Sequence, residues 1–380
     1  MTAVPLPADY QIKLLEARAA ARAVATLPSE KKNRVLSRVA ELLQQKRADI
    51  LAANARDVDR LDREATSAFR DRLTLNPARI DAMAESLRQI ARLPDPVGEV
   101  TEDRRLANAL HVRRVRAPLG VLFMIFESRP NVALESFALA FKAGNAIILR
   151  GGKESSQSVA ALMAVVQRVL AEEGVSEAAV TPITDPDRAL ILALLQQSRW
   201  IDVVVPRGGD KLIEFVVQNS RIPIIKNDRG MCHVYVHADA DLLMAEAIVD
   251  NAKTQRPGVC NSMETLLVHS SIAKAFLPKV YERLNLSGQN PVAWYACERS
   301  RAILPKDPQI HAAKPAHFET EYLDYKMNCL IVDSLDDAIE HIEKHGSRHS
   351  EAIITQNESD ARRFQSEVDA AAVYWNASTR

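Results

Sequence analysis

From residue 101 onwards, short apolar runs bounded by turn residues alternate with stretches of helical spacing, and that alternation leaves few folds open. "GVLFMIFE" and "NAIILRGG" are too uniformly apolar for strands with one wet face. "NVALESFALAFKAG" and "SSQSVAALMAVVQRVLAEEG" stand beside them as helices. A strand buried on both faces and followed by a crossover helix is the unit of a parallel sheet. The series continues through "AAVTPI", "PDRALILALLQQS", "WIDVVV", "KLIEFVVQNS" and "IPIIK", which predicts a doubly wound α/β sheet. A second series opens at "CHVYVHADADLLMAEAIVDNAK" and runs through "METLLVHSS", "SIAKAFLPKVYERL", "KMNCLIVDS", "LDDAIEHIEKHG", "EAIITQ" and "AAVYWN". Two such units in tandem predict two α/β lobes facing each other across a cleft.

Ahead of them the chain has a different texture. "YQIKLLEARAAARAVATL", "SEKKNRVLSRVAELLQQKRADILAANARDVDRL" and "ARIDAMAESLRQIARL" are rich in Ala, Leu, Arg and Glu at helical spacing, with "LPSEKKN" and "LPDPVG" as punctuation. "HVRRVRA" alternates as a strand does. The expected organisation is an N-terminal helical region and first α/β domain over residues 1–235. A second α/β domain carrying a cysteine loop follows over 236–372, and then a C-terminal segment over 373–380.

A chain of 380 residues suggests roughly two or three domains of ordinary size. Lys+Arg and Asp+Glu both number 49, so no surplus charge draws it to nucleic acid or to a membrane surface. The first residues lack a basic stretch followed by an apolar one, and no apolar run nears the roughly 18 residues needed to cross a bilayer. The four cysteines (232, 260, 297 and 329) are scattered without a C-x-x-C pair, which argues against a disulfide scaffold or zinc ribbon. A reduced, cytoplasmic chain is expected.

No two of the twelve glycines lie two apart, so the G-x-G-x-x-G fingerprint is missing, and so is the P-loop pattern. Phosphate could still be held where strands run into helices, at Arg150-Gly151-Gly152-Lys153 and at Arg207-Gly208-Gly209. Glycines at such turns also serve sterics alone, and the pattern leaves both readings open. His341, His345 and His349 share one helical spacing, but Gly346 is expected to end that helix, so no metal is assigned. Cys232 heads an apolar strand and reads as core. Cys260 is preceded by "TQRPGV" and followed by "NSMET", on a loop beside Arg256 and directly before a strand. Such a place can stabilise and expose a thiolate. From pattern alone, a nucleophile and a structural cysteine both remain open.

Taken together, the motifs closely resemble the gamma-glutamyl phosphate reductase family of the aldehyde dehydrogenase superfamily. They are "RAPLGV", "FESRPNV", "KAGNAIILRGGKES", "DPDRAL", "IDVVVPRGG", "CHVYV", "NAKTQRPGVCNSMETLLVH", "TEYLD", "GSRHSEAI" and "VYWNASTR", covering most of the chain in the family's order. The resemblance implies an aldehyde-dehydrogenase-like α/β fold. It implies an NADPH-dependent oxidoreductase that reduces L-glutamyl 5-phosphate to L-glutamate 5-semialdehyde and phosphate, in proline biosynthesis. The first domain would bind NADPH.

By the same resemblance Cys260 is the nucleophile and passes through a thioester. Its own backbone N–H and a side chain of "ESRPN", Asn131 or Ser128, would meet the oxyanion. Arg256 and Arg129 would bind the anionic groups of the substrate. Arg150, Gly151, Gly152, Lys153, Arg207, Gly208 and Gly209 would hold the adenosine and pyrophosphate, with Glu321 near the nicotinamide ribose. The implied partners are the small-molecule substrate, further copies in a homo-oligomer, and a functional association with glutamate 5-kinase. The sequence departs from the family at "KNDRGM", residues 226–231, where a glycine-rich "ETGxGN" is common. A bulkier loop there is expected to alter access of the nicotinamide. The family also commonly continues beyond "NASTR", so 373–380 is read as the start of a shortened segment. A CoA-acylating relative and a non-catalytic binding remnant are the competing readings.

Overall fold

The run "GVLFMIFE" forms a strand whose side chains alternate between two separate cores. In the computed structural model, which describes residues 5–62, 67–226, 229–288 and 290–380, Val121, Phe123 and Ile125 enter one apolar cluster and Met124 and Phe126 another. That is the period-two geometry of a strand covered on both faces. The chain divides into two units, Met1–Asn227 and Asp228–Arg380.

The first unit begins with five helices, Ala8–Val24, Ser29–Gln45, Arg47–Asp59, Ser67–Leu73 and Pro77–Arg92. An exposed antiparallel hairpin follows, β1 (Val100–Arg105) with β2 (His111–Val115). The sheet is built from β3 (Val121–Phe126), β4 (Ala146–Arg150), β5 (Val180–Pro182) and β6 (Val203–Arg207), all parallel in the order β5-β4-β3-β6. Helices Pro130–Lys142 and Ser156–Glu172 cover one face; Ala8–Val24 and Arg188–Leu195 contribute to the cluster on the other. The expected strand at "IPIIK" reduces to one bridge, Val204 with Ile224. Pro223 has no N–H with which to extend a ladder.

The second unit holds β7 (Cys232–Val236), β8 (Met263–His269), β9 (Ala293–Ala296), β10 (Ile310–Ala312), β11 (Lys326–Val332), β12 (Ser350–Ile354) and β13 (Ala372–Trp375). They form one parallel sheet in the order β10-β9-β11-β8-β7-β12-β13. Val234 and Val236 point into one core and Tyr235 into the other; Leu266, Val268 and Leu267 repeat the pattern on β8.

The units part at Asn227 and Asp228, ahead of the expected boundary at 235, because β7 pairs with β8 and β12. An apolar run shows that it is a strand but not which sheet it joins. Residues 372–375 likewise pair with β12 as the edge of the second sheet instead of standing apart. Among the described residues no helix is long and apolar enough to cross a membrane.

Candidate active site

Cys260 is exposed, on a loop between the helix Leu242–Thr254 and β8. Two buried contacts close the neck of that loop. The Lys253 ammonium, fully buried, donates to the Met263 carbonyl at 2.9 Å and to Glu264 Oε2 at 3.2 Å. Ser262 Oγ donates to the Ala252 carbonyl at 3.2 Å. The helix end and the strand start are thereby stapled together, and the residues between them project.

The cysteine itself is held by its backbone. Cys232 donates its S–H to the Cys260 carbonyl at 3.2 Å. Burial pushes the Cys232 thiol well above its ordinary range, with Glu351 adding to the effect, so the group stays a protonated donor. Gly230 lies against the same carbonyl, and its N–H donates to Glu321 Oε1 at 2.8 Å. The segment carrying Glu321 is tied in turn to the staple, since the Leu323 N–H donates to Glu264 Oε1 at 3.3 Å. Arg380 reaches the loop from the last strand's side, donating from Nε to Gln255 Oε1 at 2.9 Å and from Nη1 to Asn261 Oδ1. The Arg256 side chain, by contrast, is exposed and has no partner among the described residues.

In the first unit, β3 is followed by β4 and β5 on one side, while β6 returns on the other. The crossovers therefore diverge between β3 and β6, where open parallel sheets place ligands beyond their carboxyl ends. Glu127, Ser128 and Arg129 extend β3 there, and both Gly-Gly turns end its neighbouring strands. A Cβ on Gly152 would lie 2.4 Å from Ser128 Oγ, and one on Gly208 2.8 Å from the Glu127 side chain. A side chain at either position would have to displace these neighbours.

The helix termini behind these turns already meet carboxylates. Asp57, from the third N-terminal helix, accepts from the Gln157 and Ser158 N–H groups at 3.2 and 2.7 Å. Glu127 Oε1 accepts from the Gly209 N–H at 2.7 Å. An acidic side chain thus accepts part of each donor set and complements the dipole, through two N–H groups at Asp57 and one at Glu127. What stays uncommitted is side-chain charge. Lys153 and Arg207 are exposed, and their side chains have no ion-pair or hydrogen-bond partner among the described residues. Arg150 donates to the Pro186 carbonyl at 3.2 Å, and burial lowers its guanidinium from the ordinary value.

Arg129 also has a side chain without a partner among the described residues, and its guanidinium is lowered by burial first and then by repulsion from Arg72 and Arg207, against the pull of Glu127. The repulsion that Arg129 feels from two other guanidinium groups marks a locally positive place suited to an anion. Ser128 is buried and donates its hydroxyl proton to Glu154 Oε2 at 2.7 Å. The Asn131 amide has no intramolecular partner among the described residues, so of the two oxyanion candidates it is the one free to donate.

Sequence reasoning missed Lys253, Glu264 and Arg380. The first two carried a signal: Lys253 falls on the buried face of its helix with Val249 and Ala252, and Glu264 interrupts an apolar strand. Arg380 carried none. The rings of His341 and His345 lie 4.7 Å apart and tilted to each other on the helix Leu335–His345, while His349 lies beyond it and shares a hydrogen bond with Ser350 Oγ at 2.9 Å. They do not form a ligand set; the one trio of close potential ligands among the described residues is His237, Asp239 and Asp360. Of the "KNDRGM" loop, Asn227 and Asp228 lie outside the described residues.

Comparison with known proteins agrees with this fold. The aldehyde dehydrogenase family model matches residues 7–293. A gamma-glutamyl phosphate reductase from Moorella thermoacetica is 48% identical over 373 residues, covering 98% of this chain and 88% of the relative. The crystal structure of the Thermotoga maritima gamma-glutamyl phosphate reductase superposes with a TM-score of 0.93 at 41% identity, over 97% of this chain and 88% of that one. The Saccharomyces cerevisiae gamma-glutamyl phosphate reductase structure is 32% identical with a TM-score of 0.54, over 99% of this chain and 93% of that one.

Proposed function

The chain belongs to the aldehyde dehydrogenase family, and within it we propose that the protein carries out NADPH-dependent reduction of L-glutamyl 5-phosphate to L-glutamate 5-semialdehyde and phosphate, the second step of proline biosynthesis. The observation that carries this reading is Cys260, exposed on a loop whose neck and backbone are both fixed by buried polar contacts. The names of relatives at 41 to 48% identity over nearly the whole chain support the substrate.

In this mechanism the Cys260 thiolate attacks the acyl carbon, the C–S bond forms, and phosphate leaves with the electron pair of the broken C–O bond. The Cys260 N–H, which has no backbone acceptor among the described residues, and the Asn131 amide are the proposed donors to the oxyanion. When bound, the nicotinamide supplies the hydride that reduces the thioester. Cys260 then departs as thiolate when the carbonyl of the aldehyde re-forms. The fixed loop matters because the sulfur must occupy one position as nucleophile and as leaving group.

The cofactor fits the residues of the first unit through side chains. Lys153 and Arg207 offer uncompensated charge to phosphate groups, and Arg150 with the two Gly-Gly turns shapes the adjoining strand ends. Glu321 commits Oε1 to Gly230 and keeps Oε2 for a ribose hydroxyl. Arg129 and Arg256 are the proposed partners of the substrate's anionic groups. The reading extends to a cytoplasmic homo-oligomer and to functional association with glutamate 5-kinase, because an acyl phosphate is short-lived in water and is best used where it is made.

The direct test runs the reaction backwards. Purified protein given glutamate 5-semialdehyde and NADP should reduce NADP only when inorganic phosphate is present. Turnover that needs CoA in place of phosphate would identify a CoA-acylating enzyme. No turnover with either would identify a binding protein.

A further inference from the structure

Arg380 is half-buried, and its two side-chain partners are neutral. Nε donates to Gln255 Oε1 at 2.9 Å and Nη1 to Asn261 Oδ1. Both acceptors belong to the cysteine loop, one on each side of Cys260, and Asn261 is its direct neighbour. No carboxylate pairs with this guanidinium among the described residues. A guanidinium drawn out of water is ordinarily matched by an acid, since the cost of desolvating an unmatched charge is large. Three of its five N–H groups remain uncommitted, both on Nη2 and one on Nη1, in a planar fork that suits a phosphate or carboxylate.

We propose that Arg380 binds the phosphate group of the acyl phosphate and stabilises it as a leaving group. The inference rests on the function proposed above. Two anionic groups in that substrate compete for the assignment. The phosphate is bonded through one oxygen to the carbon that Cys260 attacks, whereas the α-carboxylate stands at the far end of the carbon chain. A side chain fastened to the residue next to the nucleophile meets the nearer anion. As the C–S bond forms and the C–O bond breaks, the electron pair moves onto the phosphate oxygens, and the Arg380 N–H groups meet that charge without transferring a proton. In the reverse direction the same contacts hold inorganic phosphate for attack on the thioester.

The test uses Arg380→Gln, which keeps a polar amide but removes the charge, with Arg380→Lys beside it. For phosphate-dependent reduction of NADP, the KM for inorganic phosphate should rise about 10- to 100-fold in the glutamine variant, the scale of a lost charge-assisted contact. The KM values for NADP and the semialdehyde should stay within about twofold, and the lysine variant should recover part of the loss. A second measurement needs no turnover. Inorganic phosphate should slow alkylation of Cys260 by iodoacetamide in the wild type, and the glutamine variant should need correspondingly more phosphate for the same protection. An unchanged phosphate KM, or a rise in the semialdehyde KM instead, overturns the assignment. So does equal protection in wild type and variant. If the wild type turns over with no phosphate dependence, the parent reading fails, while the alkylation arm still judges Arg380 by itself.

Discussion

The carbonyl oxygen of Cys260 occupies the place where a side chain on Gly230 would go: a Cβ there would lie 1.6 Å from that oxygen and 2.6 Å from the Cys260 Cα. Both neighbours are backbone, so neither can swing aside. Residue 230 and the nucleophile therefore share one fixed position, and the Gly230 N–H passes that constraint on to Glu321.

Gly230→Ala should displace the cysteine loop. The expected result is a fall in kcat of at least about 100-fold, the scale on which a 1 Å misplacement acts. The two cores lie elsewhere, so the thermal midpoint should change little. Activity and a melting curve on the same preparation check it, and a fully active alanine variant would show that the contact relaxes without consequence.

The staple beneath the loop gives a second prediction. Desolvation lifts the Glu264 carboxyl to about 7, with Lys253 opposing the shift, and burial lowers the Lys253 ammonium. Lys253→Met leaves that carboxylate buried without its cation and should destabilise the protein by about 3–5 kcal/mol. Lys253→Met with Glu264→Leu removes both charges and should regain most of that loss. Turnover should remain low in the double variant, because the tie from Lys253 to the Met263 carbonyl is gone. Urea denaturation alongside steady-state rates separates the two effects, and full activity in the double variant would contradict a positioning role.

Cofactor preference follows from the two cations at the end of β4, Arg150 and Lys153. Arg150→Ala with Lys153→Ala should raise the KM for NADPH much more than that for NADH, since only NADPH carries the extra 2′-phosphate. Steady-state kinetics with both cofactors decide it. Equal losses would assign these cations to something other than the 2′-phosphate.

Much of this architecture was legible because its signals are local. The strand at 121–126 announced itself by length and apolarity, since a chain buried on both faces has no reason to alternate. Cys260 stood out because its neighbours, Arg256, Pro257 and Gly258, suit neither helix nor strand. What could not be read depends on partners distant in the chain. Asp57 fills a helix terminus a hundred residues away, and Arg380 grips a loop more than a hundred residues before it. No periodicity encodes such a pairing. Lys253 and Glu264 fall between these cases: each is visible as a charge on an apolar face, but only the fold shows that they answer one another.

His341 provides a pH dependence. Its ring stands edge-on to His233 at 5.4 Å and to Phe318 at 5.2 Å, and its buried Nε2 has no partner among the described residues. Burial holds the imidazole down to about 3, with repulsion from His233, His345 and Lys344 adding to it. A folded pKa below the unfolded value of about 6.5 contributes stability that is full above that pH. The contribution is lost as pH falls from there toward 3, at up to about 1.4 kcal/mol per pH unit. The midpoint should therefore drop between pH 7.5 and pH 5, and His341→Gln should drop by less. Parallel pH profiles for the two proteins would show that His341 does not carry the effect.

The central claim is that Cys260 forms the covalent bond, and the most direct measurement compares phosphate-dependent NADP reduction by the wild type and by Cys260→Ser at matched concentration. A neutral hydroxyl is a poor nucleophile beside a thiolate, so the serine variant should lose several orders of magnitude in rate, on the order of 5 kcal/mol or more of barrier, with its affinity for NADP nearly unchanged. A serine variant that keeps a tenth of the wild-type rate would contradict the covalent mechanism.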